Sequence, residues 1–169
     1  KDAFSFAKEN NMLGPIISRK VQKSFEAGKY IRTNTLIDKG AVSVSYAAVE
    51  KISRIFDLKN SSVLAVGAGE TSILTIQHLQ KKEIKKLAIT NRSIEKAKEI
   101  ANKYSLEVKD FKVLQDHLND FDVAIFSTSS KKELLSFDLV SQIMQKRNYT
   151  PLLLVDLCVP RNLPSSISE

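Results

Sequence analysis

The sequence predicts an α/β fold, a Rossmann-type doubly wound parallel sheet preceded by a helical segment. Three observations carry that expectation. From Asn60 onward, short β-rich runs alternate with stretches of helical period, the texture of βαβ units. The apolar run Val63-Leu64-Ala65-Val66 passes directly into Gly67-Ala68-Gly69 and then into a helical stretch. The first sixty residues show helical periodicity and no strand pattern.

Taken in order, Ala3, Phe4, Phe6 and Ala7 suggest the end of one helix, closed by Asn10-Asn11 and the turn around Gly14-Pro15. Ile17, Val21 and Phe25 then recur at four-residue spacing in a second helix. A polar stretch from Arg32 to Ser43 leads to a third, with Ala48, Ile52, Ile55 and Phe56 expected on its apolar face. Strands are predicted over 63–66, 86–90, 107–109, 122–126 and 152–157. Helices are predicted over 71–80, 93–103, 113–118 and 137–146, the second carrying Ile94, Ala97, Ile100 and Ala101 on one stripe. The domain expectation is a helical tail of a truncated domain over 1–43, a dinucleotide-binding domain over 44–160, and the start of a linker over 161–169. The opening Lys1 and the polar, Ser-rich tail are expected to be cuts in a longer protein.

Composition narrows the function classes. With 43% hydrophobic and 27% charged residues, the chain is neither disordered nor collagenous. Its longest apolar run, Leu152 to Val155, falls far short of the roughly 18 residues a membrane helix needs, so no membrane partner is expected. Cys158 stands alone and only His78 and His117 accompany it, which leaves no disulfide and no expected metal site; a reducing, cytoplasmic setting fits. The net charge of +7 favours polyanions without choosing among them, and the lysines read as solvated helix faces.

Chemistry concentrates at three places. In the first, Gly67, Ala68, Gly69, Glu70, Thr71 and Ser72 form a strand-to-helix turn suited to a pyrophosphate. Gly67 permits the turn, Gly69 leaves room for the phosphates, and the helix N-terminus meets their charge. Ser72 stands where the fingerprint prefers Gly or Ala. In the second, the second strand ends at Asn91-Arg92-Ser93, 22 positions after Gly69, where an NAD site would place an acid on the ribose hydroxyl. Arg92 instead offers a guanidinium fork to a 2′-phosphate, with Asn91, Ser93 and Lys96 beside it, so NADPH is the expected cofactor. Ser93 also suits a helix N-cap, and the two roles are compatible.

The third place is a pair of loops. Ser127-Thr128-Ser129-Ser130 follows the fourth strand, and Asp156-Leu157-Cys158-Val159-Pro160-Arg161-Asn162 ends the fifth. Position makes Ser127, Thr128 and Val159 candidates to border the nicotinamide half, and ordinary turn chemistry accounts for these loops equally well. Cys158 has no neighbouring base and is expected to be a buried structural thiol.

Four blocks, Gly40 to Ser45, Gly67 to Thr71, Asn91 to Ser93 and Val155 to Asn162, together resemble glutamyl-tRNA reductase across almost the whole chain. Lys1 to Phe4 and Lys29 to Thr35 are similar to the last part of that family's catalytic domain. The chain departs from the family pattern at Ser72 and at Ser129-Ser130.

The resemblance implies an NADPH-dependent oxidoreductase that reduces glutamyl-tRNA to glutamate-1-semialdehyde for tetrapyrrole (porphyrin) synthesis. It implies glutamyl-tRNA as partner, a nucleophilic cysteine upstream of Lys1, no catalytic residue within this chain, and a homodimer formed through a domain absent here. The fragment alone is expected to be inactive. A shikimate-dehydrogenase-like reductase shares the Asn-Arg-Ser/Thr clamp, but its catalytic Lys and Asp blocks do not occur. A non-catalytic nucleotide-sensing module is the reading from another class.

Overall fold

In the computed structural model, residues 2–35 and 43–168 are described. Gly40, Ala41 and Val42, the first half of one block of the family resemblance, lie outside them. The chain divides into two compact units, Lys1–Val42 and Ser43–Glu169.

The first unit holds two helices, α1 (Asp2–Glu9) and α2 (Pro15–Asn34). Pro15 opens α2, where its missing N–H costs nothing. The Phe4 and Phe25 rings meet edge to face with centroids 5.9 Å apart. No residue of α2 is buried.

The second unit opens with α3 (Val44–Ile55), capped by the Ser43 hydroxyl, which accepts from the Tyr46 N–H at 3.1 Å. β1 (Ser62–Val66), α4 (Glu70–Gln80), β2 (Lys86–Thr90), α5 (Ile94–Tyr104) and β3 (Glu107–Lys109) follow. After them come α6 (Leu114–His117), β4 (Val123–Phe126), α7 (Phe137–Lys146) and β5 (Leu153–Asp156). The five strands form one sheet in the order β3-β2-β1-β4-β5, every pair parallel. The chain therefore builds outward from β1 to one edge, then returns past it to build the other half. That reversal places a crevice beyond the carboxyl ends of β1 and β4.

Both sheet faces are covered, which is why β1 and β4 read as unbroken apolar runs. On one face Val63, Val123 and Ile125 pack with Val49, Ile52 and Leu79, and beside them Ala65 and Ile89 pack with Ile76, Ala97 and Ile100. On the other face Leu64, Val66, Ala124 and Phe126 pack with Leu114, Leu118, Phe121 and Ile143. Strand alternation sends odd and even residues of each strand to opposite layers.

Two details depart from the sequence pattern. The buried stripe of α3 is Ser45, Val49 and Ile52; Ile55 is 54% exposed, whereas Phe56, the C-cap, is half-buried and packs on the same core. The small Ser45 lets α3 approach α4 closely, and its hydroxyl donates to the Thr71 carbonyl at 3.0 Å, which turns that face inward. Arg147, just past α7, is buried, yet it has no carboxylate partner among the described residues; its guanidinium donates to the carbonyls of Leu118, Asn119, Phe121, Thr150 and Pro151.

Candidate functional site: a phosphate-accepting groove at the sheet switch point

The turn after β1 is fixed by contacts that leave no room for a side chain. Gly67 has φ of +122°, and a Cβ there would lie 2.5 Å from the Ser127 carbonyl oxygen. The close approach comes from both neighbours, since the Gly67 N–H donates to Thr90 O and the Ser127 N–H donates to Val66 O, each at 2.9 Å. Gly69 differs. It is the N-cap of α4 in an ordinary extended conformation, and a Cβ added to it would meet nothing within 4 Å. No side chain caps the first turn of α4, so its N–H groups are available to an anion. Ser72 is fully buried, and its hydroxyl donates to the Gly67 carbonyl at 2.7 Å, bracing the turn from behind.

Across from that turn stands the end of β2. Asn91 donates from its amide to the Ser93 carbonyl at 3.0 Å. Ser93 caps α5, accepting from the Lys96 N–H and donating to the Glu95 carboxylate at 2.8 Å. Glu95 is held below the usual carboxylate range by its own backbone N–H and by Ser93. Arg92 is exposed and has no hydrogen-bond or ion-pair partner among the described residues. An unpaired planar fork at the rim of a groove is suited to a phosphate.

The loops after β4 and β5 close the other side. The Asp156 carboxylate accepts from the N–H groups of Cys158, Asn162 and Leu163 at 2.9, 2.7 and 2.9 Å. Asn162, fully buried, accepts from the Thr128 hydroxyl and donates to the carbonyls of Ser130 and Lys132. The Thr128 N–H points at the Cys158 sulfur, 3.2 Å away. Cys158 is buried, and burial followed by the Asp156 carboxylate pushes its thiol up to about 11, the reverse of an activated nucleophile.

A groove of about 290 Å³ runs between these walls. Of the residues singled out from sequence, Ala68, Gly69, Asn91, Arg92, Ser93, Lys96, Ser127 and Thr128 line it. Gly67, Glu70, Thr71 and Ser72 do not: Gly67 and Ser72 build the turn behind the groove, and Glu70 and Thr71 begin α4. Val159 is also absent from the walls. It is 96% exposed, because the loop turns inward at Cys158 and Asn162 and leaves Val159 outside. Phe111 and Leu134 line the groove without having been expected. Neither sits in a motif, and only the fold brings their loops to this place.

These features fit a dinucleotide phosphate: a glycine whose Cβ would occupy open space, an uncapped helix start and an unpaired guanidinium. Among the described residues no cluster of His, Cys, Asp or Glu could hold a metal, and no helix is long and apolar enough to cross a membrane.

Comparison with known proteins agrees with this geometry. The family described as Shikimate / quinate 5-dehydrogenase matches residues 49–169. Glutamyl-tRNA reductase from Sulfurihydrogenibium sp. is 39% identical over the whole chain, which spans 38% of that protein. Thus the chain spans about two fifths of the length of the curated relatives it matches. Among solved structures, glutamyl-tRNA reductase from Methanopyrus kandleri superposes with a TM-score of 0.69 at 29% identity, covering 99% of this chain and 43% of that one. The nucleotide-binding domain of the Thermoplasma volcanium glutamyl-tRNA reductase shares the fold, with a TM-score of 0.59 at 23% identity over 74% of this chain and 82% of that one.

Proposed function

Because the chain belongs to the shikimate / quinate 5-dehydrogenase family and its relatives along its full length are glutamyl-tRNA reductases, we propose that it is the NADPH-binding portion of such a reductase. The observation that carries the cofactor choice is Arg92, unpaired at the groove rim where an NAD site would place an acid. In this reading Gly69 and the start of α4 receive the pyrophosphate, and Arg92 with Lys96 receives the 2′-phosphate. Ser93 joins them once its hydroxyl turns from Glu95, and Ser127 and Thr128 meet the dinucleotide from the far wall. Bound NADPH supplies the hydride. The chain's own residues orient it and keep water from the face they cover.

The whole reductase acts on glutamyl-tRNA in the cytoplasm and dimerises through residues outside this chain. The nucleophile that forms the acyl-enzyme belongs to the remaining part of the protein. Cys158 has no part in that step, since its thiol stays protonated at neutral pH.

The test is calorimetric titration of the chain and of Arg92→Ala with NADPH and NADH. Losing one charge-assisted phosphate contact is expected to weaken NADPH about ten- to hundred-fold and to leave NADH nearly unchanged. Equal losses for both cofactors would overturn the assignment of Arg92.

A further inference from the structure

Every polar group of Asn162 is committed to the groove's second wall. Its N–H donates to Asp156 at 2.7 Å and its carbonyl accepts from the Leu134 N–H at 2.9 Å. Its side-chain oxygen accepts from the Thr128 hydroxyl, and its amide donates to Ser130 O at 2.9 Å and Lys132 O at 3.3 Å. The side chain is fully buried, so each bond is made away from competing water. These contacts grip both ends and the middle of the loop 128–134, a stretch with no regular structure of its own. That loop supplies Thr128, Ser129, Ser130 and Leu134 to the groove, opposite Arg92.

We propose that Asn162 is a positioning residue, which holds the 128–134 loop so that Thr128, placed by the sequence beside the nicotinamide half, instead receives with Leu134 the adenosine half of the dinucleotide. This rests on the NADPH reading above. The reasoning is geometric: if Arg92 takes the 2′-phosphate on one wall, the base joined to the same ribose lies between that wall and the one facing it. The facing wall offers the apolar Leu134 and Phe111 to the base and the Thr128 hydroxyl to the sugar. Asn162 never touches the ligand; it acts through the loop.

The experiment measures 2′,5′-ADP, NADPH and NADH binding to the chain, Asn162→Ala, Asn162→Asp, Thr128→Val and the Asn162→Ala/Thr128→Val double variant, well below each melting midpoint. Asn162→Ala is expected to weaken all three ligands by a common factor, on the order of tenfold, leaving the NADPH-to-NADH ratio unchanged. Asn162→Asp, which keeps the acceptor for Thr128 but sets a buried carboxylate oxygen against the Ser130 and Lys132 carbonyls, should weaken binding at least as much as Ala. Thr128→Val, which removes the hydroxyl's bonds to Asn162 and from the Ser130 N–H and no volume from the core, should weaken 2′,5′-ADP a few-fold and add little on top of Asn162→Ala. A lowered melting midpoint with unchanged 2′,5′-ADP affinity would overturn the proposal, as would fully additive losses in the double variant. A parent chain that binds none of the three ligands would instead refute the proposed function itself.

Discussion

The turn after β1 and the paired loops after β4 and β5 wall the same groove by opposite means. The turn is made of backbone. Gly67 is wedged between Thr90 and Ser127 because it lacks a side chain, and Gly69 leaves open space for the same reason. The paired loops are made of side chains. Asp156 gathers three N–H groups and Asn162 binds residues about thirty positions away. The first wall is stiff because its neighbours are strands, whereas the second is ordered only as long as its polar side chains are satisfied. Even within the first wall the two glycines differ: the fold requires Gly67, whereas a Cβ at Gly69 would meet nothing within 4 Å.

Substitutions can break that contrast, beginning with the largest effect. Gly67→Ala should cost about 3 kcal/mol or more of folding stability, from left-handed strain plus the collision with Ser127, as read by denaturant unfolding. A normally stable Gly67→Ala protein would mean that the β1 and β4 ends are not clamped. Gly69→Val is expected to leave circular dichroism unchanged and to lower the melting midpoint only slightly, through a poorer N-cap, while NADPH binding becomes undetectable, the clash being mainly with ligand. Normal NADPH binding by Gly69→Val would remove the glycine turn as the phosphate cradle.

In the second wall, Cys158→Ser should cost only about 1 kcal/mol, since a hydroxyl replaces a buried thiol of similar size and can still accept from Thr128. Cofactor affinity should not change, which calorimetry checks. The smallest effect is one of pH. The folded thiol titrates near 11 against an ordinary 9.0, so the folded state holds its proton more tightly than the unfolded one. Its stabilising contribution is complete below pH 9.0 and is lost as pH rises toward 11; alkylation by iodoacetamide should stay slow at pH 8 and accelerate over that same interval. Rapid alkylation of the folded chain at pH 8 would contradict a buried, unactivated sulfur.

The two walls also differ in how far the sequence discloses them. β1, its glycines and the Asn91-Arg92-Ser93 corner were legible because each is a local matter: an apolar run, a turn, a cap. The strands and helices of the second unit follow from periodicity for the same reason. Phe111 and Leu134 were not legible, since nothing in their neighbours marks them and only the strand order carries their loops to the crevice. Asn162 stood in a quoted block, yet its role depends on partners at 128, 130 and 132 that no local pattern joins to it. Val159 was chosen by position in a loop, and a loop that folds inward at its neighbours turned it outward. On α3, Ile52 and Phe56 lie inward as periodicity predicts, while Ile55 does not and Ser45 does, because a serine that satisfies its hydroxyl on Thr71 can be core, and apolarity alone does not disclose that.

Ser72 has a consequence for anyone who would engineer this domain. Scored against the dinucleotide fingerprint it is a mismatch, and a consensus repair would install glycine. In the folded chain that repair would delete a buried hydrogen bond to the carbonyl of Gly67, leave that oxygen without its donor, and put a flexible residue in the first turns of a helix. The pattern's preferred letter is thus a lesion in this context. Where a motif position serves the backbone and not the ligand, the remedy is to copy what the residue does and to disregard what its relatives usually spell.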